Sequence, residues 1–391
     1  MDFQQQFNQV DQLLSSTRQY WQILPFAHLS VLWADNIALT NYLNSLSVAD
    51  IDMLDSNDQL LRTAIFPLIN QSLECISVLP EPISQQFFSP DRLKASIKGR
   101  KWQQIEQFES LVPTGKGQLL EWCAGKGHLG RLIGYHQQRP IVSVEWQQAL
   151  CDQGQAMSDK LDIEQSFVQA DVLSLNKSLI KPEHQVVALH ACGDLHVELL
   201  KQAAKIKPTQ LSVAPCCYHL INNDIYQALS EAGQNSELVL TKRDLNLATQ
   251  KVVVAGQRVR QHRVTEVTWR LGFDLLQRHL RGIDQYLPLP SIRQSMLVGT
   301  FSQFCQWACD QKNLKLDQDL DLSVFEAAGG QRRIINARIE HVTHAFRQVL
   351  ERWLLLDRVL YLQQHGYTVE LSRFCPAEVT PRNIMINASI R

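Results

Sequence analysis

Two short segments carry the side chains best suited to chemistry. One is Leu189-His190-Ala191-Cys192-Gly193-Asp194-Leu195, and the other is Ala214-Pro215-Cys216-Cys217-Tyr218-His219. His190, Asp194 and His219 could accept a proton from a reacting hydroxyl or amide. Asp194 could instead cap the helix that should follow it. The cysteines admit three readings. A thiolate could attack a pyrimidine ring. Cys192, Cys216, Cys217 and His219 could bind a metal. The thiols could also be small polarizable groups that shape a pocket. No metal is expected, because adjacent cysteines do not readily share one tetrahedral ion and the spacing is not a zinc signature. The candidate catalytic set is His190, Asp194, Cys216, Cys217 and His219.

A third segment, Leu119 to Ile133, reads as a buried strand, a glycine turn and a helix start. Gly125, Gly127 and Gly130 spell G-x-G-x-x-G, which lets a ligand approach the backbone and meet the free N–H groups of the helix start. Glu145 ends the next apolar run about 20 residues on, where an acid can accept ribose hydroxyls. Asp171 ends a third run and could accept an adenine amine. Glu121 closes the first strand. A carboxylate there repels a pyrophosphate and suits the ammonium end of S-adenosylmethionine (SAM). The candidate cofactor residues are Glu121, Cys123, Gly125, Lys126, Gly127, Glu145, Asp171, Val172 and His190, with SAM favoured over NAD.

These segments need a scaffold. Strands are expected at about 117–122, 140–145, up to 171, 185–190 and 210–214, with helices between them, as in a parallel sheet with crossovers. Glu121, Glu145, Asp171, His190 and Pro215-Cys216-Cys217 then all fall at carboxyl ends, where such sheets bind ligands. Ile335, Ile339, Val342, Phe346, Val349, Leu350, Trp353 and Leu356 predict one long helix over 334–363. Tyr367–Leu371 and Asn383–Asn387 predict a closing hairpin. The expected division is an N-terminal helical segment at 1–95, a sheet domain at 96–221 and 334–391, and a mostly helical insertion at 222–333. Within the first segment, Ser47-Val48-Ala49-Asp50 resembles a helix start. Leu60 to Val78 reads as a helix, and Pro80, Pro82 and Pro90 as a linker. A cap packed on the sheet domain is the favoured role for that segment.

The chain has 391 residues, with 38 Lys+Arg against 39 Asp+Glu, so a global basic field is absent while local patches remain open. Lys94, Lys98, Arg100 and Lys101 form one patch. Arg258, Arg260, His262, Arg263, Arg270, Arg278, His279 and Arg281 form another, suited to RNA, an acidic partner or a solvated face. No apolar run reaches the ~18 residues of a membrane span. The polar start and nine irregularly spaced cysteines suggest a cytoplasmic protein with reduced thiols.

Together the motifs resemble a known family. Glu121-Trp122-Cys123-Ala124-Gly125-Lys126-Gly127-His128-Leu129-Gly130, Leu189–Leu195 and Cys216-Cys217-Tyr218-His219 are similar to the class I SAM methyltransferase domain of the glutathione-S-transferase-C-terminal-domain-containing and methyltransferase-like proteins. Leu355-Leu356-Asp357-Arg358 and Thr380-Pro381-Arg382-Asn383 are weaker matches. A fainter similarity reaches tRNA ribose 2′-O-methyltransferases. Cys123 departs from the usual motif by standing where its first glycine belongs. The resemblance implies an α/β, Rossmann-like seven-stranded SAM-methyltransferase sheet with its last strand antiparallel, and SAM as cofactor. The expected function is methyl transfer to a macromolecule, RNA ahead of protein. An NAD(P)-dependent oxidoreductase and a non-catalytic SAM-fold scaffold are the alternatives. The oligomeric state is left open.

Overall fold

The computed structural model describes residues 2–72, 79, 89–94, 97–115, 117–175, 177–250, 257–317 and 319–390. The chain forms two compact units. One comprises residues 1–16, 74–253 and 347–391, and the other 17–73 and 254–346.

The first unit is built on seven strands: β1 (Leu119–Trp122), β2 (Ile141–Glu145), β3 (Gln165–Gln169), β4 (Gln185–Cys192), β5 (Gln210–Cys216), β6 (Tyr367–Arg373) and β7 (Ile384–Ile390). Their order is β3-β2-β1-β4-β5-β7-β6. The first five are mutually parallel, and β7 runs antiparallel to both β5 and β6. The fold is therefore the Rossmann-like seven-stranded sheet that the sequence predicts. The order reverses at β1 and β4, so the chain leaves both strands toward one crevice.

Alternation along the strands feeds two cores. Leu120, Trp122, Val186, Ala188, Leu211, Val213, Ile386 and Ala388 pack on one face with Val359 and Leu362 of the helix Arg347–Gln364. Leu119, Val187, Leu189, Ala214 and Met385 pack on the other with Trp102, Ile105 and Phe108 of the helix Gly99–Glu109. Burial on both faces is why the central strands read as continuous apolar runs.

The division of the chain differs from the expected one. The helix Phe3–Ser16 belongs to the sheet unit, where Phe7 meets Trp353 with ring centroids 5.3 Å apart. Residues 222–253 belong there too, whereas 334–346 belong to the helical unit. The long helix over 334–363 is two helices, Leu322–His344 and Arg347–Gln364. Between them the N–H groups of Ala345 and Phe346 bond to Val342 and Thr343 in tighter three-residue turns. The apolar spacing continues across this break and so conceals it.

In the helical unit, Ser47 and Asp50 form the expected capping box for Val48–Asp55. The helix expected over Leu60–Val78 is shorter, Asp58–Ile65 followed by a turn of 3₁₀-helix at Phe66–Ile69; residues 73–78 and the prolines at 80 and 82 lie outside the described residues. Much of the second basic patch is internal structure. Asp274 pairs with Arg278 at 2.9 Å and Arg332 at 2.6 Å, and Arg270 pairs with Glu266 at 2.8 Å. Arg258, Arg260 and Arg263 are exposed. Among the described residues, no helix is long and apolar enough to cross a membrane.

Candidate active site

The turn after β1 is wound by three left-handed residues, Cys123 at φ 56°, Gly125 at 59° and Gly127 at 66°. At Cys123 a side chain accepts a conformation that glycine usually supplies, at a cost of roughly 1–2 kcal/mol. The departure from the family motif therefore leaves the tight turn intact. A Cβ added at Gly125 would meet no atom within 4 Å, so this glycine faces open space. At Gly127 the same atom would overlap the Gln165 and Phe167 side chains. Gly125 thus fits a site for close ligand approach, and Gly127 a packing site.

Glu145 holds the turn. It accepts the Gly125 N–H at 2.9 Å and the Gln147 N–H at 3.0 Å, one on each oxygen. A carboxylate has about four acceptor sites, so about two remain beyond these bonds. Glu121 lies beneath the turn, 4% exposed, and accepts the Ser143 hydroxyl at 2.7 Å. Burial pushes its carboxyl up to about 7, against that hydrogen bond, the Gly130 N–H and the Arg131 charge. Asp171 caps the chain after β3 by accepting the Leu173 N–H at 3.0 Å and the Ser174 hydroxyl at 2.9 Å. Asp194 makes no cap for its own helix. It accepts the Asn222 N–H at 2.7 Å and ties down the segment after β5.

Three cavities adjoin along the strand ends. One of about 500 Å³ is lined by Cys123, Glu145, Asp171, Val172, His190 and Asp194, together with the exposed apolar side chains of Trp146, Leu173 and Leu220. A second, about 510 Å³, shares Cys123, Glu145 and His190 and adds Glu121, Gly125, Lys98, Arg100 and Lys101. A third, about 290 Å³, takes in His190, Cys192, Cys216, Cys217, Thr380 and Arg382. His190 lines all three and stands at their junction, held at φ 80°. Burial, with the Lys101 charge adding, lowers its imidazole below 6.5 and favours the neutral form. Lys126, Gly127 and His219 line none of the three. The Lys126 carbonyl accepts Arg131 at 2.7 Å.

The thiols converge. Cys192 and Cys216 sit opposite one another on β4 and β5 with sulfurs 3.2 Å apart, and Cys217 joins them within 4.8 Å. Hydrogen bonds from Cys192 and Cys216 hold the Cys217 thiol far below its usual 9, with Arg382 and His219 adding. Hydrogen bonding to Cys192 and Cys217 pushes the Cys216 thiol up.

The weaker motif matches acquire roles. Asp357 accepts the Tyr226 hydroxyl at 2.7 Å, the Leu229 and Ser230 N–H groups, and the Ser230 hydroxyl. Arg358 donates to His196 at 2.8 Å and lies over the Tyr218 ring at 4.9 Å. This pair clamps the segments after β4 and β5 to the helix Arg347–Gln364. Thr380, Pro381 and Arg382 line the smallest cavity, and Asn383 donates to the Cys375 carbonyl at 2.6 Å. Trp146 escapes the sequence-based site, and Arg382 is marked there only by a weak motif match, with no site role. An aromatic directly after the β2 acid was the available signal for Trp146, whereas only topology brings Arg382 back to β5.

Residues 100–224 match the family model described as a methyltransferase domain. With the strand order above, this match makes the segment a SAM-dependent methyltransferase domain, with SAM as its cofactor. Solved structures also align with the chain. The tRNA (uracil-54, C5)-methyltransferase of Pyrococcus abyssi, in complex with S-adenosyl-L-homocysteine, is 18% identical over 29% of this chain and 27% of its own, with a TM-score of 0.24. TrmK of M. capricolum, in complex with S-adenosyl-homocysteine, is 11% identical over 28% and 49%, at 0.24. A TehB-like SAM-dependent methyltransferase from Corynebacterium glutamicum is 13% identical over 32% and 66%, at 0.25. The chain thus spans about a quarter of the first and half of the second.

Proposed function

We propose that the protein transfers a methyl group from SAM to RNA, with the acceptor entering beside His190. The observation that carries the RNA reading is the rim of the second and third cavities. Lys98, Arg100, Lys101 and Arg382 meet there. Lys98, Arg100 and Lys101 are exposed and make no ion pair among the described residues. Such cations suit a phosphate backbone running past the site. The likeness to the glutathione-S-transferase-C-terminal-domain-containing proteins rests on the segments that line these walls.

In this reading the first cavity, of about 500 Å³, takes the nucleoside end of the cofactor, with Asp171 at the adenine, Glu145 at the ribose and Trp146 stacked on the base. Glu121 and the open face of Gly125 receive the methionine end. Bound SAM supplies an electrophilic methyl carbon on a sulfonium. The chain's task is then alignment and proton removal. His190, neutral and at the cavity junction, takes the acceptor's proton. Asp194 positions the 220–222 segment, His219 acts on Cys217, and Cys216 and Cys217 form the wall behind the acceptor.

The ionised form of Glu121 beside the turn disfavours a nicotinamide dinucleotide, whose pyrophosphate it would repel. The test is methyl labelling of an extract from cells lacking the gene, using purified protein and radiolabelled SAM. Label in the RNA fraction is expected. Label in protein alone, with no affinity for RNA at low salt, rejects the RNA reading.

A further inference from the structure

We propose that Cys192, Cys216 and Cys217 hold a thiophilic divalent ion, zinc, with its fourth coordination position open to the cavity beside His190. The sequence argues against this, because adjacent cysteines do not readily share one tetrahedral ion and the spacing is not a zinc signature. The backbone removes the first objection. Cys217 adopts φ 45°, which turns its sulfur back toward that of Cys216. On the neighbouring strand, His190 is at φ 80° and the β4–β5 register shifts between Leu189 and Cys192, which brings Cys192 opposite Cys216. Each such residue costs roughly 1–3 kcal/mol and persists only where something over-determines it.

The geometry fits an ion. Zinc–sulfur bonds of about 2.3 Å in a tetrahedron place the sulfurs roughly 3.8 Å apart. Here one pair lies at 3.2 Å and all three sulfurs lie within 4.8 Å, so small rotamer shifts complete the site. Three protein ligands and one vacant position are the pattern of an ion that meets a substrate or water rather than one buried for structure. The cavity of about 290 Å³ onto which all three cysteines open supplies that position. Three thiolates and a dication leave one negative charge, and the Arg382 guanidinium in the same cavity balances it. The other described cysteines offer no such group.

The test reads metal and needs no methyl acceptor, so its outcome is independent of the RNA reading. The full chain is purified without chelator in reducing buffer, and its zinc content is measured by mass spectrometry. About one equivalent is expected. Replacing zinc with cobalt should give an intense thiolate-to-cobalt charge-transfer band. Cys192→Ser and Cys217→Ser should lower metal retention at least ~10-fold, while Cys309→Ala in the helical unit keeps it. A folded wild-type chain that binds S-adenosylhomocysteine yet holds no zinc and gives no cobalt band overturns the proposal. So does zinc retained by both serine variants. Should those variants fail to fold, the wild-type metal count and cobalt spectrum decide.

Discussion

Gly125→Ala separates a ligand-approach role from a packing role, and Gly127→Ala supplies the contrast. At Gly125 the added methyl meets nothing within 4 Å, so the fold bears only the left-handed backbone at φ 59°. That cost is about 1–2 kcal/mol, a fall of a few degrees in melting temperature. The methyl projects into the cavity shared with Glu121 and His190, where the cofactor's methionine end belongs. Affinity for S-adenosylhomocysteine should fall at least ~10-fold, equivalent to about 1.4 kcal/mol. At Gly127 the methyl overlaps Gln165 and Phe167 and leaves the cavities untouched. There the loss is mainly of stability, about 2–5 kcal/mol. The assay is isothermal titration together with thermal melting for both variants. A Gly125→Ala protein that binds S-adenosylhomocysteine as tightly as wild type refutes the reasoning.

Four further outcomes are expected. Trp146, 64% exposed on the wall of the cavity that also holds Asp171, should act by stacking, so Trp146→Ala should weaken S-adenosylhomocysteine binding by ~1 kcal/mol and leave melting unchanged. The folded protein raises the Glu121 carboxyl from 4.5 to about 7 and so binds the proton more tightly than the unfolded chain. Stability from this group should therefore fall as pH rises from about 4.5 to 7, by ~3 kcal/mol, and pH-dependent denaturant melts of Glu121→Gln should lack that component. Replacing Arg100 and Lys101 with alanine should flatten the salt dependence of RNA binding by about 0.7 per lost phosphate contact, read from binding titrations over a series of salt concentrations. Asp357→Ala should destabilise the sheet unit by ~3 kcal/mol in denaturant melts, because it strands the N–H groups of Leu229 and Ser230 beside Arg358.

The sheet was legible because its physics is local. Ile141-Val142-Ser143-Val144 and Val186-Val187-Ala188-Leu189 are apolar runs of strand length, and each is followed by a helical period and a polar strand end. That places Glu121, Glu145, Asp171 and His190 on one edge without coordinates. What stayed hidden depends on backbone torsion or distant return of the chain. No residue type announces that Cys217 adopts a left-handed conformation, so the sequence points two adjacent thiols apart where the fold joins them. Arg382 lies 165 positions after Cys217 and reaches the same cavity only because β7 inserts beside β5. The unit boundary at residue 346 is equally silent, since Val342, Phe346, Val349 and Leu350 keep helical spacing across it.

The central claim is that the crevice at the ends of β1, β2 and β4 is a SAM site. Isothermal titration of the purified chain with S-adenosylhomocysteine and, separately, with NAD tests it most directly. One S-adenosylhomocysteine should bind per chain, with no heat from NAD. Saturable NAD binding, or the absence of S-adenosylhomocysteine binding by a folded chain, contradicts it.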